Sequence, residues 1–217
     1  MSTRPDYKKA INVADCILLS SNQFELPLNI EKLLKGIKTL NIQINKYSDA
    51  GLEKASKIKN SGFVTENNGI YYVLYNDGIE SEGNHRFTLC HELGHIILEH
   101  DLSRPDDKIQ EAEANAFATE LLMPEAIVQE MINRGYSIVN EASLDALFNA
   151  SYQASCIRVD EFKKLPEWHG RYTDYDSIVN VQFKNYLDKY FPKRKSSYYD
   201  IDDELETQKE RDSWLYR

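Results

Sequence analysis

Two histidines and a glutamate suited to metal chemistry occur together in the segment His91-Glu92-Leu93-Gly94-His95. Histidines four positions apart in a helix lie on the same face, one turn from each other, so that both can bind one metal ion. The glutamate after the first histidine then lies beside the open coordination position, where it can accept a proton from bound water. The segment therefore predicts a hydrolytic metal site with His91 and His95 as ligands and Glu92 as the general base.

A second predicted helix, which contains Glu111-Ala-Glu113-Ala-Asn115, is the expected source of a third ligand. Zinc held by two histidines at a catalytic site usually takes one more protein ligand and leaves the fourth position to water. With about 100° of rotation per residue, Glu111 falls at the margin of the apolar face, whereas Glu113 and Glu120 fall on the opposite, solvent-facing side. We therefore favour Glu111 over Glu113 as the third ligand, and we expect Asn115 to hydrogen-bond a ligand histidine or that glutamate.

Other groups near this segment have less definite roles. His85 does not share a face closely with His91, and His100 lies past the end of the helix predicted from about Ser81, so we expect His100 to lie in solvent. A tyrosine, Arg86 or His85 could stabilise the oxyanion of a hydrolytic reaction, and the sequence does not choose among them. Zinc is the expected ion, while manganese and iron stay open because the order of affinities alone does not determine which ion fills a site.

Length, charge and cysteine spacing restrict the class of protein. The 217 residues suffice for one domain or one domain with an appendage, and a hydrophobic content of 41% supports a buried core. A net charge of −9 argues against a surface built to bind nucleic acid. Three scattered cysteines without metal-binding spacing indicate free thiols, and neither a signal peptide nor a membrane-spanning run is recognisable. We expect a soluble, cytoplasmic protein.

The pattern of apolar residues predicts an α+β fold, in which a small antiparallel sheet packs on the HExxH helix and on the glutamate helix, followed by a mainly helical C-terminal part. Segments 40–45, 63–66 and 70–75 have strand character, and Asn67-Asn68-Gly69 predicts a hairpin turn between the last two. An edge strand of such a sheet could hold an extended peptide. Further helices are predicted over 7–19, 29–34, 49–59, 125–133 and 178–190.

The two metal-site motifs together resemble one known family. Segment 86–95, Arg-Phe-Thr-Leu-Cys-His-Glu-Leu-Gly-His, followed by segment 111–124, Glu-Ala-Glu-Ala-Asn-Ala-Phe-Ala-Thr-Glu-Leu-Leu-Met-Pro, is similar to the ImmA/IrrE-type metallopeptidases. The resemblance extends over about residues 62–124 and implies a gluzincin-like zinc site. It also implies a bacterial or phage-borne protein that cleaves or relieves a partner transcriptional repressor of the helix-turn-helix type, which derepresses mobile-element or stress genes.

On this basis we divide the chain into three parts. They are a zinc metallopeptidase domain (1–135), a helical, helix-turn-helix-like subdomain (136–165) and an aromatic and charged extension (166–217), whose last ~20 residues are either disordered or fold against a partner. The second helix of the middle part, 152–162, carries Gln153 and Arg158, which suit DNA, but also Asp160 and Glu161, which do not. We expect no direct DNA binding, and favour a role in closing the cleft or meeting the partner.

Two other functions stay open. A metal-stabilised scaffold could act as a non-hydrolytic anti-repressor or antitoxin-like binding protein, through protein–protein contact alone. Because such a scaffold needs metal ligands but no general base, the presence of Glu92 favours the peptidase. A DNA-binding regulator with a structural zinc would need a basic reading helix, which residues 152–162 do not supply.

Overall fold

The computed structural model describes residues 4–52, 61–104, 107–137, 140–164 and 175–194. Within these ranges the fold is α+β, as predicted. The strands are β1 (Asn41–Lys46), β2 (Gly62–Asn67) and β3 (Ile70–Tyr75). The helices are α1 (Tyr7–Ser20), α2 (Ile30–Gly36), α3 (Glu82–Ile97), α4 (Lys108–Leu122), α5 (Glu125–Asn133), α6 (Glu141–Phe148), α7 (Tyr152–Lys164) and α8 (Asp176–Tyr190).

The sheet is small and mixed, with the strand order β1-β3-β2. β2 and β3 pair in antiparallel fashion through the predicted hairpin, in which Asn68 and Gly69 have φ values of 52° and 77°. A two-residue type I′ turn requires positive φ at both of these positions. β1 runs parallel to β3, with Asn41 paired to Ile70. The sheet is thus mixed rather than wholly antiparallel, because alternation in a strand predicts its buried face but neither its partner nor its direction.

Most predicted helices coincide with helices of the structure. α1, α2, α5 and α8 occupy the segments predicted at 7–19, 29–34, 125–133 and 178–190. Residues 47–51 form turns, and most of the helix predicted over 49–59 lies outside the described residues, as does the acidic end of the C-terminal extension. None of the helices in the described ranges combines the length and apolarity needed to cross a bilayer.

Helix α3 carries the HExxH segment and lies between the sheet and α4. Ser81 caps its first turn by accepting a hydrogen bond from the Asn84 N–H. The helix contacts β2, β3 and, most extensively, α4. Leu89 and Leu93 are among the buried residues of α3 that join the hydrophobic core. This burial holds α3 in place and leaves the face with the histidines directed toward α4.

Helix α4 supplies the candidate third ligand and packs between α3 and α1. Asp107 caps it by accepting hydrogen bonds from the N–H groups of the second and third residues that follow. Its buried residues include Ala114 and Phe117, whereas those of α1 include Ala10 and Ala14. Small residues at helix contacts let backbones approach closely, because less side-chain volume separates the two helix axes. The paired helices α3 and α4 therefore form a compact support for the site.

Helices α6 and α7 form the predicted helix–turn–helix, with Asn149 in the left-handed conformation (φ 48°) at the turn. This turn lies against the start of α3. A β-carbon at Gly83 would be 2.3 Å from the Ala150 carbonyl oxygen, a distance that no side chain can tolerate. The helix–turn–helix is therefore docked on the helix that carries the candidate metal ligands.

Candidate metal centre

Helices α3 and α4 bring three candidate ligands to one point. The Nε2 atoms of His91 and His95, one turn apart in α3, are 3.0 Å from each other. Glu111, in the first turn of α4, places Oε2 3.3 Å from His91 Nε2 and Oε1 3.3 Å from His95 Nε2. Within the part of the chain that the structure describes, these residues form the one group of three or more histidine, cysteine and acidic side chains with the spacing for a metal ion.

The separations fit a tetrahedral ion. Zinc binds histidine nitrogen and carboxylate oxygen at about 2.0–2.2 Å, so two ligands of a tetrahedral zinc lie about 3.3–3.6 Å apart. The observed separations of 3.0 and 3.3 Å are close to this range. The side chains of His91 and His95 are 14% and 9% exposed, and that of Glu111 is 37% exposed. Three ligands of this kind would leave one tetrahedral position open.

Asn115 orients the ring of His91. His91 Nδ1 lies 3.0 Å from Asn115 Oδ1, which can only accept a hydrogen bond, so in the neutral ring Nδ1 carries the proton and Nε2 keeps its lone pair. Burial lowers the pKa of His91, but hydrogen bonding to Glu111 and the charges of Glu92 and Glu111 raise it by more, so the net pKa is above its ordinary value. Hydrogen bonds from His91 and His95 hold the pKa of Glu111 far below its usual range. The cluster therefore favours positive charge between its acceptor atoms.

The hydrogen-bond partner of His95 is His100, which we expected to lie in solvent. His95 Nδ1 lies 3.0 Å from His100 Nδ1, and His100 Nε2 lies 3.1 Å from Glu113 Oε2. The His100 side chain is only 5% exposed, and burial, against the opposing hydrogen bond to Glu113, lowers its pKa. The expectation that His100 lies in solvent was wrong, because the chain turns back after α3. Glu113 therefore lies with His100, whereas Glu111 lies with the two candidate ligands.

The candidate general base, Glu92, is 7% exposed and follows the first histidine in α3. Burial raises the pKa of the Tyr47 phenol, and the charge of Glu92 raises it further. The Tyr47 hydroxyl is buried and has no hydrogen-bond partner among the residues that the structure describes. Tyr47 is thus a tyrosine that the fold couples electrostatically to Glu92, which no motif in the sequence indicated.

A groove of about 620 Å³ extends from the β2–β3 hairpin to the end of α3, beside His95. Thr65 and Glu66 of β2 line one part of it, and Glu99 and Ser103 line another. β2 lies at the end of the strand order in the described sheet, so its outer backbone N–H and C=O groups face away from β3. The groove therefore connects the candidate metal site with an edge strand of the kind that can hold an extended peptide.

Arg86 and His85, the two named candidates for oxyanion stabilisation, both have structural partners. Arg86 donates hydrogen bonds of 2.7–3.2 Å to the carbonyl oxygens of Leu28, Phe148 and Asn149. His85 Nε2 lies 3.1 Å from a backbone carbonyl oxygen in the loop before α3. Arg86 therefore ties α3 to the segment before α2 and to the end of α6, and both side chains are engaged with backbone carbonyl groups away from the candidate ligands.

Glu120 also departs from its expected position in solvent. It is 1% exposed, and its Oε2 accepts a 2.7 Å hydrogen bond from Arg158. Arg158 is 2% exposed and lies within 3.6 Å of Glu125 and 3.2 Å of Glu161. The expectation for Glu120 was wrong because the Arg158 side chain of α7 reaches this side of α4, which the periodicity of α4 alone cannot reveal. Arg158, a residue type that suits DNA, instead links α7 to α4 through this ion pair.

A helix that bears HExxH, joined by a glutamate from the next helix, is typical of metallopeptidases. Comparison with known families agrees with this class, since residues 38–160 match the peptidase family described as the IrrE N-terminal-like domain. The match covers more than half of the 217 residues, and the chain belongs to that family. No curated protein matches the chain. The resemblance that the two motifs indicated is thereby confirmed, and a peptidase of this family acts on a protein substrate.

Proposed function

We propose that this protein is a zinc-dependent endopeptidase in which His91, His95 and Glu111 bind the metal and Glu92 is the general base. The observation that carries the proposal is the convergence of two imidazole Nε2 atoms and one carboxylate, at separations of 3.0–3.3 Å, next to Glu92. Three acceptors so close together repel one another unless a cation or a proton lies between them. The tautomer of His91 that Asn115 favours leaves its Nε2 free for a metal.

The chain's own residues divide the work of peptide hydrolysis. When bound, zinc supplies Lewis-acid polarisation and lowers the pKa of water toward neutrality. Glu92 accepts a proton from the attacking water and delivers it to the leaving amine, as the C–N bond of the peptide breaks. The products are a new carboxylate and a new amino group. β2 orients the substrate as an added strand, which brings the scissile bond along the groove toward His95.

For the substrate we propose a partner transcriptional repressor of the helix-turn-helix type, so that cleavage derepresses mobile-element or stress genes. The support is the family to which the chain belongs together with the resemblance of its two motifs. Direct DNA binding by this protein is not part of the proposal, because Arg158 is buried and the exposed side chains that the structure describes in α7 are those of Tyr152, Gln153, Ile157 and Asp160, none of them basic. The helix–turn–helix is proposed to frame the cleft, or to meet the partner.

The alternative is a metal-stabilised anti-repressor or antitoxin-like protein that inactivates its partner by contact alone. One observation favours chemistry over contact: Glu92 is placed in α3 beside the first of the three converging groups, where a scaffold has no use for a carboxylate. A peptidase and a contact-only anti-repressor would both bind a repressor, so binding does not distinguish the two functions. Only the peptidase would cleave the repressor.

The decisive experiment expresses Glu92→Gln in the native host as a substrate trap. Proteins that co-purify with it are identified and then incubated with purified wild-type protein, with and without a chelator. We expect a repressor that the wild type cuts, that Glu92→Gln leaves whole while keeping its metal, and that the chelator protects. His91→Ala and His95→Ala are expected to lose both metal and cleavage.

Glu82→Gln is the matched control, because it makes the same substitution in an exposed residue of α3, about 15 Å away along the helix axis. This variant is expected to cleave at the wild-type rate. A partner that binds tightly but is left whole by wild-type protein loaded with zinc would overturn the peptidase and support the contact-only function. A Glu92→Gln protein that cleaves normally would overturn the role of Glu92.

A further inference from the structure

Behind His95, a row of hydrogen bonds leads away from the candidate metal site to the start of α1. His95 Nδ1 lies 3.0 Å from His100 Nδ1, and His100 Nε2 lies 3.1 Å from Glu113 Oε2. The other carboxylate oxygen of Glu113 accepts a 2.6 Å hydrogen bond from the N–H of Asp6, the residue that caps α1. Three separate parts of the chain thus meet on the side of His95 that faces away from Glu111.

The end of α3 places His100 at this position. The N–H of His100 donates to the His95 carbonyl oxygen and the N–H of Glu99 donates to that of Ile96, which is the hydrogen-bond pattern of a Schellman motif. Glu99 has φ 59°, at the position where glycine is usual. The turn therefore brings the His100 ring back beside that of His95, with ring centroids 4.9 Å apart.

The partners determine where each proton resides. An ionised Glu113 can only accept, so His100 Nε2 must donate to it, and the neutral His100 ring then offers Nδ1 as an acceptor. His95 Nδ1 must in turn donate to His100 Nδ1, which leaves His95 Nε2 without a proton. His95 Nε2 is the atom that lies 3.3 Å from Glu111 and 3.0 Å from His91 Nε2.

We propose that His100 and Glu113 are positioning residues that hold His95 in the tautomer whose Nε2 is free to bind metal, with the Asp6 N–H of α1 completing the support. The inference rests on the proposed role of His95 as a ligand. The support of His95 differs from that of His91: His95 reaches a carboxylate through a second histidine, whereas His91 Nδ1 donates directly to an amide oxygen. Glu113, whose side chain is 17% exposed, ends the row with a carboxylate, the kind of group that commonly accepts the second N–H of a metal-binding histidine.

The test replaces His100 by phenylalanine, which fills the same space without a hydrogen-bonding atom, and Glu113 by glutamine. Two matched controls are available. His85→Phe makes the same change in a histidine of α3 whose partner is a loop carbonyl oxygen. Glu99→Gly supplies the residue that the left-handed position favours, so the turn and His100 stay in place. Each full-length protein is titrated with zinc against a chromophoric chelator.

We expect His100→Phe to weaken zinc binding by about 10- to 100-fold, as is usual when the partner of a ligand histidine is removed. Glu113→Gln keeps an acceptor but loses the charge, so a smaller loss is expected. His85→Phe and Glu99→Gly are expected to bind zinc as the wild type does. Equal zinc affinity in wild type and His100→Phe would overturn the proposal, as would an equal loss in His85→Phe.

A second readout separates positioning from simple damage to the fold. Nitrogen-15 NMR of the histidine rings in the full-length metal-free protein reports the tautomer of His95 directly. The expected result is a proton on Nδ1 in the wild type, Glu99→Gly and His85→Phe, and a shift of that proton toward Nε2 in His100→Phe. An Nδ1–H tautomer that persists in folded His100→Phe would overturn the inference. If wild-type protein bound no metal, the proposed peptidase would fail, whereas the tautomer result would still stand.

Discussion

Gly94 lies directly against Ala114, so that a β-carbon at position 94 would be 3.2 Å from the Ala114 α-carbon and 3.4 Å from its carbonyl oxygen. The same β-carbon would be 3.0 Å from Phe117 Cδ1. Gly94 is the position in the HExxH segment just before the second histidine. The close contact of α3 with α4, which brings Glu111 to both histidines, therefore depends on the absence of a side chain there.

Gly94→Ala is expected to separate the two helices by a few tenths of an ångström and to weaken metal binding. Overpacking of this kind lowers the free energy of unfolding by about 1–3 kcal/mol. Gly36→Ala is the control, because nothing lies within 4 Å of a β-carbon at that helical position. It should leave metal affinity unchanged and stabilise the fold slightly. Chelator competition and chemical denaturation measure the two quantities, and unchanged affinity in Gly94→Ala would contradict this role of the contact.

Substitution of Asn115 tests the hydrogen bond that supports His91. It should have little effect on packing, because Asn115 is exposed. Asn115→Ala removes the acceptor of the His91 Nδ1 proton, so zinc affinity should fall by about 10-fold or more. Asn115→Asp keeps an acceptor and adds charge, and is expected to retain or increase the affinity. Thermal unfolding of the metal-free proteins should hardly change in Asn115→Ala. A loss of affinity in both variants would contradict a hydrogen-bond role.

The relative positions of the three candidate ligands on their helices were predictable from the sequence, because helical periodicity alone determines them. The spacing of His91 and His95 places them on one face of α3, and the angle of Glu111 on α4 distinguished it from Glu113. Periodicity could not reveal the support of His95, because the turn that places His100 has Glu99 where the usual signal is glycine.

Contacts between elements distant in the chain were likewise not predictable. Glu120 is on the polar side of α4 when that helix is considered alone, but in the fold it is buried and paired with Arg158 of α7. The direction of β1 is another such case, since its pairing with β3 depends on the path of the chain between them. Charged side chains are the ones most often misplaced by this reasoning, because burial of a charge requires a partner that only the tertiary structure supplies.

As the pH falls, metal binding is expected to start weakening at a pH above 6.5, the ordinary pKa of histidine. The pKa of His91 lies above its ordinary 6.5, against the effect of burial, because of Glu111 and Glu92. A proton therefore competes with the metal for His91 Nε2 before the pH has fallen to that value. The stability of the metal-free protein depends on pH in the opposite direction. Charged His91 contributes stability below pH 6.5, and this contribution is lost as the pH rises through the raised pKa.

Zinc affinity measured from pH 8 to pH 5.5 tests this expectation. Calorimetry in two buffers of different ionisation enthalpy should also show protons released on binding at pH values just above 6.5. Affinity that stays constant down to pH 6 would show that the pKa of His91 is not raised.

The buried ion pair between Arg158 and Glu120 is expected to be the most sensitive contact between α7 and α4. Arg158→Met leaves the carboxylate of Glu120 buried without its cation, which should lower the free energy of unfolding by about 3–5 kcal/mol. Adding Glu120→Gln removes the uncompensated charge while keeping an acceptor for the Glu125 N–H, so part of the loss should be recovered. Denaturant titrations of the single and double variants measure this difference.

Lys35→Met gives the surface comparison, because Lys35–Glu31 is also a pair of a cation with a glutamate, but with side chains 69% and 62% exposed. Loss of the Lys35–Glu31 pair should change the free energy of unfolding by less than about 1 kcal/mol.

If Arg158→Met proved as mild as Lys35→Met, α7 would not depend on the ion pair for its place on α4. If the double variant were no more stable than Arg158→Met, the loss would come from the volume or hydrogen bonds of arginine rather than from the charge left on Glu120. Recovery in the double variant would instead show that the charge of Glu120 binds α7 to the helix that carries Glu111.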